Sequence, residues 1–285
     1  MRSIIRISSG REKLTLAPYT VCRLLEGGLE GFETPPTVNC ELAPSAFGDG
    51  GIFLNCSFAP RALSVYFEVT DREKYPEVRD RILRIMSSRE GVRVTADLFG
   101  RRRSITAYPE GKAEFIRENV RSFPKIRLKF ICPDPFFKEN KTERLSLPSQ
   151  VGLLTFPLNF IEDSGTVPSF ATSGTIHKVL NPGDAPCGFL LKITAVGGNV
   201  TDPLILLNGK RLQLMETLTI GDVAVFDTRR GSCGVSVNGS LRYNFSRDSS
   251  FFTLDPGENQ LKVMSVGDTG NLVAEIEFTP CYAGA

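Results

Sequence analysis

Residues 249–261, Ser249-Ser250-Phe251-Phe252-Thr253-Leu254-Asp255-Pro256-Gly257-Glu258-Asn259-Gln260-Leu261, decide the fold class. The aromatic run reads as a strand that ends at Pro256-Gly257, where proline sets one φ and glycine permits a positive one. Beyond the turn the chain alternates, with Leu261, Val263 and Ser265 on one side and Lys262, Met264 and Val266 on the other. That is the period of a half-buried strand. Upstream, Gly221-Asp222-Val223-Ala224-Val225-Phe226-Asp227-Thr228 has the same construction. Asn208-Gly209 and Asn238-Gly239 fall between further short runs, and Asn-Gly is a strong hairpin signal because a type I′ turn needs positive φ at both central residues. Gly197-Gly198-Asn199 adds another turn signal. The second half is expected to be an all-β antiparallel sandwich.

The first half mixes strands with one helix. In Tyr75–Met86 the apolar residues Val78, Ile82, Ile85 and Met86 share one face and charged residues cover the rest, the pattern of an amphipathic helix lying on a sheet. The expected span is 75–88, with Asp71 or Thr70 capping its approach, Pro76 in the first turn and Gly91 as a left-handed stop. Ser64–Val69, Val92–Phe99 and Lys125–Cys132 read as strands. Past Pro133 the apolar pattern lapses into the charged run Lys138–Arg144. The expected organisation is two domains, 1–145 and 146–285, in a chain that is mainly β with minor α: an N-terminal α+β domain of sheet plus one helix, and a C-terminal β-sandwich.

The totals exclude more than they assign. With 34 Lys and Arg against 32 Asp and Glu, the net charge of +2 offers no bulk electrostatic footprint for nucleic acid. No apolar run is long enough to span a bilayer, and Arg2, Arg6 and Arg11 interrupt any signal-peptide core, so no membrane insertion and synthesis in a cytosol are expected. The seven cysteines, Cys22, Cys40, Cys56, Cys132, Cys187, Cys233 and Cys281, are widely spread and never form a C-x-x-C pair. They read as free, mostly buried thiols.

Catalytic patterns are missing. His177 is the single histidine, which rules out a two-histidine metal site; without a G-x-S-x-G elbow beside it, it reads as a solvent-facing residue. Gly48-Asp49-Gly50-Gly51 lacks the phosphate-loop spacing and reads as a loop tip. Glu162-Asp163 would point to opposite faces of an extended chain and reads as a solvated turn. Arg101-Arg102-Arg103, with Arg93, is the sharpest basic cluster and reads as a solvated hairpin tip or an intersubunit salt contact. Phe251-Phe252 reads as core, and with no tryptophan and six tyrosines the chain lacks the best platform for stacking a sugar. No catalytic, cofactor-binding or metal-ligating residue is assigned.

In order along the chain stand Gly27-Gly28-Leu29-Glu30 with Pro35-Pro36, Phe58-Ala59-Pro60-Arg61, the helix ending near Met86, Arg103-Ser104-Ile105-Thr106-Ala107-Tyr108 and Cys132-Pro133-Asp134-Pro135-Phe136-Phe137. They are followed by Asn181-Pro182-Gly183-Asp184-Ala185, Pro203-Leu204-Ile205, Asp227-Thr228-Arg229-Arg230 and Pro256-Gly257-Glu258-Asn259. This succession resembles the distal tail proteins of long-tailed bacteriophages; only Leu153–Ser173 matches none of it. The resemblance implies an N-terminal ring-forming (belt) domain that assembles as a homohexamer between the tail tube and the tail-associated or baseplate proteins. It also implies a galectin-like, carbohydrate-module-like sandwich projecting outward, a place at the virion tail tip, and neither activity nor cofactor. The interface residues of the ring stay open. So do two other readings: a carbohydrate-binding adhesin module recognising a cell-surface glycan, and a glycoside or peptidoglycan hydrolase with two carboxylates in a cleft.

Overall fold

The computed structural model describes residues 3–10, 12–45, 48–116, 122–148, 151–152, 170–171, 176–266 and 269–285. Met1–Asn140 together with Cys281–Ala285 form one compact unit, and Lys141–Pro280 form a second. Glu162-Asp163 and most of Leu153–Ser173 lie outside the described residues.

The first unit runs through β1 (Ile4–Ser9), β2 (Glu12–Leu16), β3 (Cys22–Glu30), β4 (Val38–Pro44), β5 (Gly51–Phe58), β6 (Arg61–Val69), α1 (Tyr75–Met86), β7 (Val92–Leu98), β8 (Arg101–Pro109), β9 (Glu114–Ile116), β10 (Lys125–Cys132) and β11 (Phe137–Glu139). Its main antiparallel sheet has the order β2-β1-β7-β8-β10-β6-β3. Strand and core follow the alternation: β1 buries Ile5 and Ile7, β7 buries Val92, Val94, Ala96 and Leu98, and β10 buries Ile126, Leu128, Phe130 and Cys132. The helix adds Val78, Ile82 and Ile85 to the same core. At 12 residues it is too short to be stable alone in water. Its docking supplies the difference, since a fully buried Val or Ile side chain is worth about 1.5–3 kcal/mol.

Both helix ends are set locally. Asp71 Oδ1 accepts the N–H groups of Glu73 and Lys74 at 3.0 and 3.3 Å and so turns the approach, while the N-cap itself is Lys74 and makes no side-chain capping bond. The C-terminus departs from expectation, because the helix ends at Met86 and Gly91 does not adopt a positive φ. Ser87 closes the last turn, its N–H and hydroxyl both donating to Leu83 O. Gly91 is needed for space instead: a Cβ there would lie 2.8 Å from Thr106 Cγ2 and 3.3 Å from the Tyr108 ring.

The second unit holds β12 (Glu143–Pro148), β13 (Val151–Gly152), β14 (Phe170–Ala171), β15 (Ile176–Asn181), β16 (Phe189–Ala195), β17 (Val200–Leu207), β18 (Lys210–Gln213), β19 (Thr217–Leu218), β20 (Val223–Asp227), β21 (Gly234–Val237), β22 (Ser240–Arg242), β23 (Gly257–Val266) and β24 (Leu272–Phe278). One sheet has the order β12-β24-β16-β20-β21-β22, the other β15-β23-β17-β18 with β19 beside β17. Each sheet buries one alternating face, such as Phe189, Leu191 and Ile193 in β16 and Asn259, Leu261 and Val263 in β23, as the two layers of a β-sandwich must. Asn208-Gly209 and Asn238-Gly239 have positive φ and join β17 to β18 and β21 to β22, the hairpins their sequence predicts. Gly197-Gly198 instead links strands of different sheets. The aromatic run does not form the expected strand: only Leu254 makes an isolated bridge, with Cys187. Phe252 is buried and packs 6.1 Å from the Phe189 ring, so this segment is held by its side chains rather than by a ladder.

The division between units differs from the expected 145/146 at both ends. β12 already belongs to the second unit, and Cys281–Ala285 return to the first.

Candidate assembly surfaces

Among the described residues β4 and β5 pair only with each other, as a two-stranded arm of the first unit. Its opposed pairs are Val38/Phe58, Asn39/Ser57, Cys40/Cys56, Glu41/Asn55 and Leu42/Phe53, with Leu54 left extra as a bulge. Alternation puts Val38, Cys40 and Leu42 on one face of β4. The bulge sets Phe53 opposite Leu42 and Ile52 opposite Ala43, so the tip of the arm carries apolar pairs on both faces. Yet apolar side chains of the arm are not buried on either face: Leu42 is 62% and Phe53 60% exposed on one, Ile52, opposite Ala43, is 60% exposed on the other, and Leu54 at the bulge is 57% exposed. The base is fastened where the Phe58 ring meets the buried Phe136 edge-on at 5.1 Å. A hairpin of two strands is marginal by itself, and a contiguous exposed apolar patch marks a protein contact. Gly48 and Gly50, both at positive φ, lie in the turn of this arm, as the loop-tip reading of 48–51 expects.

The arm springs from a framework fixed by two buried arginines. Arg61, first residue of β6, donates from Nε to Pro135 O at 2.6 Å and from Nη1 to Gly31 O and Thr34 O at 2.7 and 2.8 Å. Its Nη2 donates to Ala283 O. Burial holds this guanidinium below its ordinary pKa, but an arginine stays charged regardless, and backbone carbonyls take the place of water around it. The Cys132 thiol in the same core is pushed up to about 12, by burial first, with Arg61 opposing and Asp134 adding to the rise. Arg103 lies with its guanidinium 3.5 Å from the centre of the Tyr282 ring and donates to Gly284 O at 2.7 Å. Phe137 and Lys138 of β11 pair with Tyr282 and Cys281, and Ala285 N–H donates to Phe32 O at 2.8 Å. The last five residues are thus part of the first unit's sheet and core.

The basic cluster therefore divides. Arg101 and Arg102 are exposed after the tight turn Phe99-Gly100, whose φ values of 55° and 78° make it a hairpin tip as expected. Arg103 is a correction: it is neither solvated nor a surface salt contact but turned into the protein against Tyr282. Arg102 joins Arg6, Lys13 and Arg93 around a shallow pocket of about 430 Å³ on the first unit. His177, in β15 opposite Leu261, is half-buried rather than solvent-facing. Phe252 is core as expected, whereas Phe251 is part-exposed and meets Phe245 edge-on at 5.9 Å. Among the described residues no three His, Cys, Asp or Glu side chains gather as a metal site, and no helix is long and apolar enough to cross a membrane.

Sequence reasoning passed over the residues that tie the second unit's loops. Asn259 is fully buried beside the Pro256-Gly257 turn; its Nδ2 donates to Asp255 O at 2.8 Å and Gly257 O at 3.1 Å, and its Oδ1 accepts Asp255 N–H at 3.0 Å. Asn181 does the same for the Pro182-Gly183 turn, accepting Gly183 N–H at 3.0 Å and donating to Ala185 O at 3.1 Å. Asparagine beside Pro-Gly was the available signal, because its side chain mimics a backbone turn.

The model of the siphovirus-type tail component family, C-terminal domain, matches residues 182–282. No curated protein matches the sequence. Among solved structures, the Dit protein of phage SPP1, described as a paradigm of the hub adsorption apparatus in phages infecting Gram-positive hosts, superposes with a TM-score of 0.63 at 16% identity over 98% of each chain. A chain of the phage p2 baseplate in its activated conformation with Sr superposes with a TM-score of 0.50 at 8% identity over 99% of each chain. These likenesses establish a shared fold along the full length.

Proposed function

We propose that the chain, whose residues 182–282 match the model of the siphovirus-type tail component family, is the distal tail protein of a phage or prophage, a homohexameric ring that joins the tail tube to the tail-tip or baseplate and host-recognition proteins. Its role is structural and non-catalytic, and its place is the virion tail. The observation that carries this reading is the β4–β5 arm, whose apolar side chains Leu42, Ile52, Phe53 and Leu54 the protomer leaves exposed. A ring needs heterologous contacts, in which one patch of a protomer meets a different patch of the next. The arm supplies one such patch, and the cationic pocket around Arg6, Lys13, Arg93 and Arg102 supplies a second, suited to an acidic surface of a neighbour.

Absolute mass by light scattering after size-exclusion chromatography, across a concentration series, tests the ring. The expected species is six times the 31.3 kDa protomer, or a concentration-dependent approach to it. A strict monomer at every concentration, unchanged when tail tube protein is added, overturns the ring. For the second unit, Tyr243 is 81% exposed and offers an aromatic face for a pyranose despite the absence of tryptophan. A glycan-array signal lost on Tyr243→Ala would favour the adhesin reading, with the galectin-like sandwich as the sugar-binding part.

A further inference from the structure

The arm places Cys40 directly opposite Cys56. The kind of pair follows from the ladder. Ala59 N–H donates to Thr37 O at 2.9 Å, which makes 37/59 a hydrogen-bonded pair. Hydrogen-bonded and non-hydrogen-bonded pairs alternate along an antiparallel ladder, so 38/58 is open, 39/57 is bonded and 40/56 is open. Open pairs bring opposed side chains closest, with Cα atoms about 4.5 Å apart. A disulfide spans Cα separations of about 4.4–6.8 Å.

The chemistry agrees with the geometry. Both thiols are free and exposed, whereas Cys22, Cys132, Cys187 and Cys281 are buried. Burial, the charge of Cys40 and a hydrogen bond between the two sulfurs all raise the Cys56 pKa. Cys56 thus holds its proton toward Cys40.

We propose that Cys40 and Cys56 are a redox-active dithiol site that closes to a cross-strand disulfide by exchange with a small-molecule disulfide of the oxidised-glutathione type. One of the two cysteines, as thiolate, attacks one sulfur of oxidised glutathione, forming a mixed disulfide and releasing one glutathione thiolate. The opposed cysteine, giving up its proton, attacks the protein sulfur of that mixed disulfide and expels the second glutathione. The protein loses two protons and two electrons; one oxidised glutathione becomes two reduced ones. The product pins the register of a hairpin whose two strands, among the described residues, pair only with each other. Resting on the tail reading, the consequence is an arm left open in the reducing cytosol where tails assemble and stapled once the particle is outside.

The test uses the full chain, equilibrated in reduced or oxidised glutathione, quenched in acid, digested without reductant and analysed by mass spectrometry. The expected result in the oxidised buffer is a Cys40–Cys56 peptide pair two hydrogens lighter than its thiol form, restored by dithiothreitol. Cys233→Ser, which removes the remaining exposed cysteine, should leave that pair intact. Cys40→Ser should instead trap a stable glutathione adduct on Cys56, showing that the variant is folded and its thiol accessible. Stable adducts on both cysteines of the unaltered chain, or a Cys40–Cys56 bond formed only between two chains, overturns the proposal. Light scattering on the same samples reads the ring separately, so the two ideas fail independently.

Discussion

Asn259 shows how much one side chain can carry. It sits fully buried at the start of β23, accepts the Asp255 N–H and the Asn208 Nδ2–H, and donates to Asp255 O and Gly257 O. Alanine there leaves backbone groups of the turn without partners in a dry place, and each such group costs about 1–3 kcal/mol. Asn259→Ala should therefore lower the second unit's stability by about 2–4 kcal/mol, seen as a lower urea midpoint for that unit, with the first unit's transition unmoved. A midpoint shift below about 0.5 kcal/mol equivalent would show that water replaces the amide. The buried arginines teach the same lesson in the first unit. Arg61 and Arg103 looked like ordinary charges in the sequence, and nothing local distinguishes an arginine that will be ringed by carbonyls from one that will face solvent. What separates Arg103 from Arg101 and Arg102 is the return of Tyr282 and Gly284 to it, a contact between positions far apart in the chain.

At the scale of elements, the sequence was readable where a local rule decides the backbone. The helix from Tyr75, the strand Lys125–Cys132 and both Asn-Gly hairpins follow from period and turn chemistry alone. Phe251–Thr253 was misread as strand because aromatic side chains satisfy the same pattern whether a ladder or only packing holds them. The arm escaped notice for a related reason. Ile52-Phe53-Leu54 is the string a core strand would use, and exposure is not written in it. Leu42→Ser with Phe53→Ser separates the two roles. Both side chains are largely exposed in the protomer, so the double variant should shift the protomer's unfolding midpoint by no more than about 0.5 kcal/mol equivalent per site. Self-association should weaken by at least about tenfold, the equivalent of about 1.4 kcal/mol, read as a monomer-shifted mass distribution in sedimentation velocity. Unchanged association would remove the arm from the ring contact.

On the scale of the whole chain, the second unit is an insertion in the sequence of the first. The chain leaves the first unit after β11 and returns at Cys281, next to β11 itself, with Lys138 opposite Cys281 and Phe137 opposite Tyr282. The insertion's own ends are adjacent too, since β12 and β24 pair from Glu143/Phe278 to Pro148/Val273, with Arg144 and Glu277 in an ion pair at 2.8 Å. A boundary drawn from composition could place the exit near the charged run but not the return, because Cys281–Ala285 carry no signal except the partners they meet. Adjacent ends make excision geometrically mild: a short glycine-rich turn from Asn140 to Cys281 would close a hairpin that already exists, and residues 141–280 would lose no strand. Both pieces should then fold, the excised fragment and the joined first unit each giving one cooperative urea transition with dispersed amide spectra. Ending the chain at Asn140 should be far worse than joining it, because β11 loses one of its two partners, keeping only β8, and Arg61 and Arg103 each lose a carbonyl acceptor while still buried, at a cost of about 1–3 kcal/mol for each unsatisfied group. If the truncated and the joined first unit unfold at the same midpoint, the returning segment contributes nothing and the arginines find other partners.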